Sequence, residues 1–320
     1  MRGIGLTEFG GPEVLHVVDL PTPDAGSGEI RVRVHAVAVN PTDATFRAGG
    51  RASRLAGRTP PYIPGVDVAG VVDELGPDTD GRLAVGDRVI AVVVPMGPRG
   101  GTYAEEVVVD ERSVVHAPRG TTHGEASTLL LNAVAAHLAL DAVNLDAGQL
   151  VAVTGAAGTL GGYAIQLAKA RRLTVIADAS PDDDDLVRTL GADQVVARGD
   201  GVTDRIRGLV PGGVAGLIDG ANLDAVAMAA IADGGILVTV RGWSGPWERG
   251  IAVHPVSAFD AFTDTTLLER LRDLAEDGTL SLRVADVLPA RDAARAHQRL
   301  AGGGIRGRLV LDFETSLAEV

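Results

Sequence analysis

The chain carries 320 residues, a formal charge of −13 and no cysteine. The acidity argues against nucleic acid as a partner, and the missing thiols exclude disulfides, iron–sulfur clusters, thiolate zinc and a cysteine nucleophile. The length corresponds to about two domains, and 46% hydrophobic with 22% charged residues is ordinary globular composition. Only one of the 29 basic residues is a lysine, Lys169, so Schiff-base chemistry has a single candidate. The first ten residues hold no apolar run, which argues against a secretory signal. The most apolar stretch, residues 129–140, is shorter than the roughly 20 residues of a bilayer span. A cytoplasmic protein with no membrane partner is the resulting expectation.

The first third reads as β-structure. Residues 30–37 alternate apolar and polar side chains with period two, and residues 66–75, 88–94 and 105–109 are short Val-rich runs bounded by Gly, Pro and Asp. Such spacing predicts a barrel-like all-β unit. From about residue 119 helical periods alternate with short apolar runs. Strands are predicted at 150–154, 173–177, 194–197, 216–219 and 236–240, with helices following the first two. That alternation predicts an α/β unit with a parallel sheet covered on both faces. Helices at 266–277 and 290–300 and a strand at 308–313 complete the chain.

The strongest local signal is the segment VAVTGAAGTLGG at 151–162. A buried strand runs into Gly155, Gly158 and Gly161, and a helix follows. Glycine permits a positive φ and close approach of backbone to a pyrophosphate, while the helix N-terminus offers free N–H groups and the positive end of its dipole. Gly155, Ala157, Gly158, Thr159, Leu160 and Gly161 are therefore predicted to bind a dinucleotide; a tight turn without a ligand is the alternative. Asp178, at the end of the second strand, would accept from the adenosine ribose hydroxyls or else cap a helix. The acids Asp182 to Asp185 read as a solvated first helical turn that repels a 2′-phosphate. Ser180, Ala221, Val240, Arg241 and Gly242 fall at or after the ends of strands of the same sheet, at the carboxyl edge where ligands bind. Trp243 and Trp247 follow in a Gly/Pro loop.

The seven histidines show no metal-binding spacing, so no metal is expected. His35 reads as solvent-facing and His137 as a packed histidine. No GxSxG or Walker sequence is present.

Further segments stand in a familiar order: VAVNPTD at 37–43, YIPGVDVAGVV at 62–72, VGDRV at 85–89, GTYAE at 101–105, IQLAKA at 165–170 and LGAD at 190–193. With the glycine turn, they resemble the zinc-independent quinone oxidoreductase branch of the medium-chain dehydrogenase/reductase superfamily along nearly the whole chain. The resemblance implies a chaperonin-10-like catalytic domain formed by residues 1–118 and 255–320. It further implies a Rossmann domain at 119–254, an active site in the cleft between the two, and a homodimer. Asn40 stands where zinc-dependent members carry cysteine, Val66 and Asp67 replace their His and Glu, and their cysteine-rich lobe is missing, so the resemblance implies that both zinc sites are absent. Thr45 takes the place of a frequent tyrosine and is, with Asn40, a catalytic candidate. Asp184 and Ala197 stand near the positions of the lysine and tyrosine that hold the 2′-phosphate of NADPH, with Arg198 adjacent as a substitute. The acids lean the reading to NADH; family habit is NADPH.

The implied reaction is hydride transfer from NAD(P)H to a quinone or an α,β-unsaturated carbonyl. Asn40 would donate a hydrogen bond to the developing enolate oxygen. The alternative is a nucleotide-binding redox sensor or structural protein with little turnover.

Overall fold

The computed structural model describes residues 1–314 and Leu317. The chain separates into two compact units, one of Met1–Leu131, Ala261–Glu276 and Leu282–Val320, the other of Asn132–Asp260 and Asp277–Ser281. The expected catalytic domain runs to residue 320; residues 315, 316 and 318–320 lie outside the described residues. The first division falls later than residue 118 because the backbone N–H of Leu131 is tied to Asp67 of the first unit, at 2.9 Å. Residues 277–281 belong to the second unit, where the side chain of Gln166 bonds Ser281.

In the first unit the strand Glu29–Val39 is the hub. It pairs antiparallel with Asp67–Leu75, Glu106–Asp110 and Arg308–Asp312. Arg88–Val92 and Val114–His116 extend the sheet on one side, and Val284–Pro289 extends it on the other, parallel to Arg308–Asp312. The alternation anticipated at 30–37 appears as buried Ile30, Val32, Val34 and Ala36. Ile30, Val32 and Val34 pack in a core with Ile4, Phe46, Val68 and Tyr103.

The second unit is a six-stranded parallel sheet. Its strand order is Gln194–Ala197, Thr174–Ala179, Leu150–Thr154, Val214–Asp219, Ile231–Thr239 and Ala252–Pro255. The chain starts at Leu150–Thr154, winds outward in one direction, then returns to Val214–Asp219 and winds outward in the other. The order reverses between those two central strands, and ligands of doubly wound sheets bind at such a point.

Residues 123–143 form a helical stretch of 21 residues with mean hydropathy 1.5, long and apolar enough to cross a bilayer by length and composition. The length argument made from residues 129–140 is therefore corrected, because the helix extends beyond its most apolar part. Burial is the better discriminator: 78% of its apolar window is packed inside the protein.

Candidate dinucleotide and acceptor sites

The strand Leu150–Thr154 ends at Gly155, whose φ of 66° lies in the left-handed region. A Cβ there would sit 2.6 Å from the Gly220 carbonyl carbon, so Gly155 is required by both conformation and space. Gly161 plays a packing role, because a Cβ on it would lie 2.4 Å from the Gly155 carbonyl oxygen and 2.7 Å from the Ala156 Cα. Gly158 differs. It is the N-cap of the helix Thr159–Ala170 with an extended φ of −70°, and a Cβ there would meet only the Gly155 oxygen, at 3.1 Å. The surface beside Gly158 is thus open, while the glycines on either side are filled by the protein itself.

Thr159, Leu160 and Gly161 occupy the first turn of this helix, where N–H groups lack intrahelical acceptors. The Thr159 hydroxyl oxygen is buried and has no hydrogen-bond partner among the described residues. An orphaned hydroxyl, an open glycine and a helix N-terminus together fit a pyrophosphate. Ala157 is buried in the same turn.

Asp178 is brought to this turn, but not as expected. It is 6% exposed, and its Oδ1 accepts the Ala156 N–H at 3.1 Å. Burial pushes its carboxyl group up, opposed by the N–H groups of Ala156 and Gly155 and by Arg198. One oxygen is therefore already spent on the turn. The acids that follow are not uniformly solvated either. Asp183 is buried and accepts from the Ser180 hydroxyl, and Asp184 pairs with Arg188 at 2.6 Å; Asp182 and Asp185 are exposed. Arg198 is exposed at the end of Gln194–Ala197, and its N–H donates to the Ala179 carbonyl, which places it beside Ser180.

Across the switch point the Thr154 hydroxyl donates to Asp219 Oδ1 at 2.7 Å. Asp219 also accepts the N–H groups of Ala221 (3.2 Å) and Asp224 (2.8 Å). This buried pair shapes the exposed Ala221 loop; sequence reading missed it, although a Thr and an Asp ending adjacent central strands were a visible signal. Val240, Arg241 and Gly242 follow the strand Ile231–Thr239, with Arg241 and Gly242 exposed. Lys169 is held by Asp193 at 2.7 Å and is a structural ion-pair residue.

In the first unit the motif NPTD forms a capping box. Asn40 is the N-cap of the helix Pro41–Arg47: its side chain accepts the Asp43 N–H, and its own N–H donates to Asp43 Oδ2 at 2.7 Å. Asn40 is 0% exposed, and its side-chain nitrogen donates to Asp67 Oδ2 (2.8 Å) and the Ala38 carbonyl (3.3 Å). The amide that was expected to face an enolate is thus fully engaged in holding backbone and Asp67, which corrects that expectation. Thr45 is exposed, but its hydroxyl donates to the Pro41 carbonyl at 3.0 Å and is likewise occupied. A cavity of about 280 Å³ in this unit is lined by Phe46, Leu55, Arg58 and Tyr62 among others.

The zinc position fails on chemistry. Asn40 offers an amide, Val66 offers no donor, and both Asp67 oxygens are taken, by Leu131 N–H and Asn40. No thiolate exists in the chain. Zinc-site donors are thiolate, imidazole or free carboxylate, so these residues do not fit the ion.

His35 is not simply solvent-facing. Its Nδ1 lies 2.6 Å from Glu314 Oε1, and its ring lies 4.4 Å from that of His123. The absence of metal spacing in the sequence is therefore qualified by the fold, which brings two imidazoles and a carboxylate together from three distant places.

A parallel doubly wound sheet with a glycine turn at its switch point, in a chain that also builds a β-rich unit, defines a dinucleotide-binding protein of two-domain type. Comparison with known proteins agrees. Residues 26–119 match the alcohol dehydrogenase GroES-like domain family, and residues 190–311 match the zinc-binding dehydrogenase family. The chain is 34% identical over 203 residues to the chloroplastic quinone-oxidoreductase QR1 of Triphysaria versicolor, a match spanning 61% of this chain and 60% of that protein. It is 29% identical over 346 residues to an NAD-dependent alcohol dehydrogenase of Sulfolobus acidocaldarius, covering 97% and 99% of the two chains. A mycobacterial protein solved in complex with NADPH superimposes with a TM-score of 0.86 at 28% identity, over 98% of this chain and all of that one. Over nearly its whole length the chain is thus similar to medium-chain dehydrogenase/reductases, and two of their domain families match parts of it.

Proposed function

We propose that this protein is a zinc-independent NAD(P)H-dependent reductase of quinones or α,β-unsaturated carbonyls. The observation that carries the reading is the donor set at the zinc position, where Asn40, Val66 and Asp67 leave nothing for a metal to bind. Without a Lewis acid, an isolated ketone or alcohol lacks charge stabilisation. A conjugated acceptor delocalises its negative charge and needs less. This separates the chain's proposed chemistry from that named for its alcohol dehydrogenase relative.

The bound dinucleotide supplies hydride. Gly158 leaves room for its pyrophosphate, and the N–H groups of Thr159, Leu160 and Gly161 with the Thr159 hydroxyl hold it. Thr154 and Asp219 fix the Ala221 loop at the same crevice. Asn40 acts as a positioning residue, capping Pro41–Arg47 and anchoring Asp67. The final proton comes from water, since the Thr45 hydroxyl is already donated.

Arg188 offsets Asp184, and the N–H groups of Ala156 and Gly155 with Arg198 weaken the field of Asp178, which reduces the electrostatic lean to NADH. We read Ser180 and Arg198 as the residues that face the adenosine 2′ position and favour NADPH. The ratio of kcat/KM for NADPH over NADH should exceed one and fall in Arg198→Ala; a wild-type preference for NADH would contradict this. We also propose a homodimer joined through the edge strand Ala252–Pro255, near which Trp247 is 63% exposed. Light scattering at the monomer mass would remove that proposal. A redox sensor with little turnover remains the competing reading, and steady NAD(P)H consumption with a quinone acceptor decides between them.

A further inference from the structure

The pair His35–Glu314 and the neighbouring His123 take no part in the reaction proposed above. His35 lies on Glu29–Val39, five residues before Asn40, or roughly 16 Å along an extended strand. Arg308–Asp312 runs antiparallel beside it, with Asp312 opposite Ala36, and the Phe313 N–H donates to the His35 carbonyl at 2.9 Å. Glu314 therefore emerges next to the His35 ring. His123 opens the short helix His123–Ala126, fixed by a capping box between Thr122 and Glu125, which packs against both strands. Three well-anchored segments thus deliver one ligand each.

One ring nitrogen of each histidine and one carboxylate oxygen lie within 4.8 Å of one another. Nδ1 of His123 is buried and has no hydrogen-bond partner among the described residues, an unusual state for a polar atom that costs stability unless something meets it. Glu314 is exposed, which leaves a side open to water. Two imidazoles, one carboxylate and an open position form a donor set that zinc accepts, with bonds of about 2.0–2.2 Å. Ligand atoms at that distance stand roughly 3.3 Å apart around a tetrahedral ion. The His35–Glu314 contact of 2.6 Å has to open by less than an ångström, the metal taking the place of the shared proton. Arg88, which donates to the Thr121 carbonyl, adds one positive charge near His123 and moderates the attraction.

We propose that His35, His123 and Glu314 bind one divalent transition-metal ion, zinc foremost, as a clamp that pins the end of the strand Arg308–Asp312 to the first unit's sheet. The clamp is structural and has no part in hydride transfer. The test uses the full chain, freed of metal with chelator and desalted, and titrated with zinc chloride in a calorimeter. One zinc per chain is expected, with a higher Tm when it is bound. His123→Gln and Glu314→Gln should each weaken binding about tenfold or more, while His16→Gln, at an exposed histidine outside the cluster, should not. Far-UV circular dichroism verifies the fold of each variant; should His123→Gln unfold, the exposed Glu314→Gln decides alone. No stoichiometric binding, or wild-type affinity in Glu314→Gln, overturns the proposal.

Discussion

Two glycines in one turn should respond in opposite ways to a side chain. At Gly158 the backbone conformation suits any L-residue, and an added Cβ meets a single atom at 3.1 Å. Gly158→Val should therefore cost less stability than a side chain at Gly161, because the Gly155 oxygen has to give by only a few tenths of an ångström, while its methyl groups fill the surface where a pyrophosphate approaches. Loss of one charge-assisted hydrogen bond is worth about 1.5–3 kcal/mol, or roughly 10- to 100-fold in affinity. At Gly161 a Cβ would lie 2.4 Å from the Gly155 oxygen, and neither that atom nor the Ala156 Cα can swing aside. Gly161→Ala should cost about 1–3 kcal/mol of stability as overpacking between helix and turn. Fluorescence titration with NADPH gives affinity, and urea unfolding gives stability. Unchanged NADPH affinity in folded Gly158→Val would mean that the dinucleotide lies elsewhere and would refute the reading of the turn.

Asn40→Ala strands Asp67 Oδ2 in the interior and uncaps Pro41–Arg47, so it should lower stability by about 1–3 kcal/mol and reduce kcat only through that loss. A thermally stable variant with a large kcat defect would instead restore a direct role in catalysis. Burial pushes the Asp43 carboxyl up to about 7 and that of Asp67 up to about 6. A raised folded-state value means that the folded protein holds these protons more tightly than the unfolded chain. Their contribution is therefore fully present below about pH 4 and lost as pH rises to about 7. Urea midpoints at pH 5 and pH 8 should fall more in the wild type than in Asp43→Asn; equal falls would show that Asp43 does not titrate in this range.

What was legible in the sequence was local. Strand, glycine turn and helix follow one another within some twenty residues, and period-two alternation at 30–37 marked a buried strand face. Less visible were the edge strands Ala252–Pro255 and Val284–Pro289, which both end in proline and bury few side chains, so neither shows a pattern. Individual side-chain roles were the hardest. The sequence placed Asn40 in a motif, yet what its amide does depends on Asp67, distant in the chain. Asp178 likewise sits at the expected strand end, but its bond to Ala156 appears only when the turn folds back over it. The cluster of His35, His123 and Glu314 has no spacing at all, because three separate segments assemble it.

The central claim is hydride transfer to a conjugated acceptor without zinc, and one rate comparison tests it most directly. Purified protein in excess chelator is given NADPH with a benzoquinone, then with a simple enone, and in a separate cuvette NADP⁺ with a primary alcohol. The account predicts sustained NADPH consumption with the quinone or the enone, unaffected by chelator, and no comparable alcohol oxidation. Alcohol oxidation that chelator abolishes and zinc restores would contradict it.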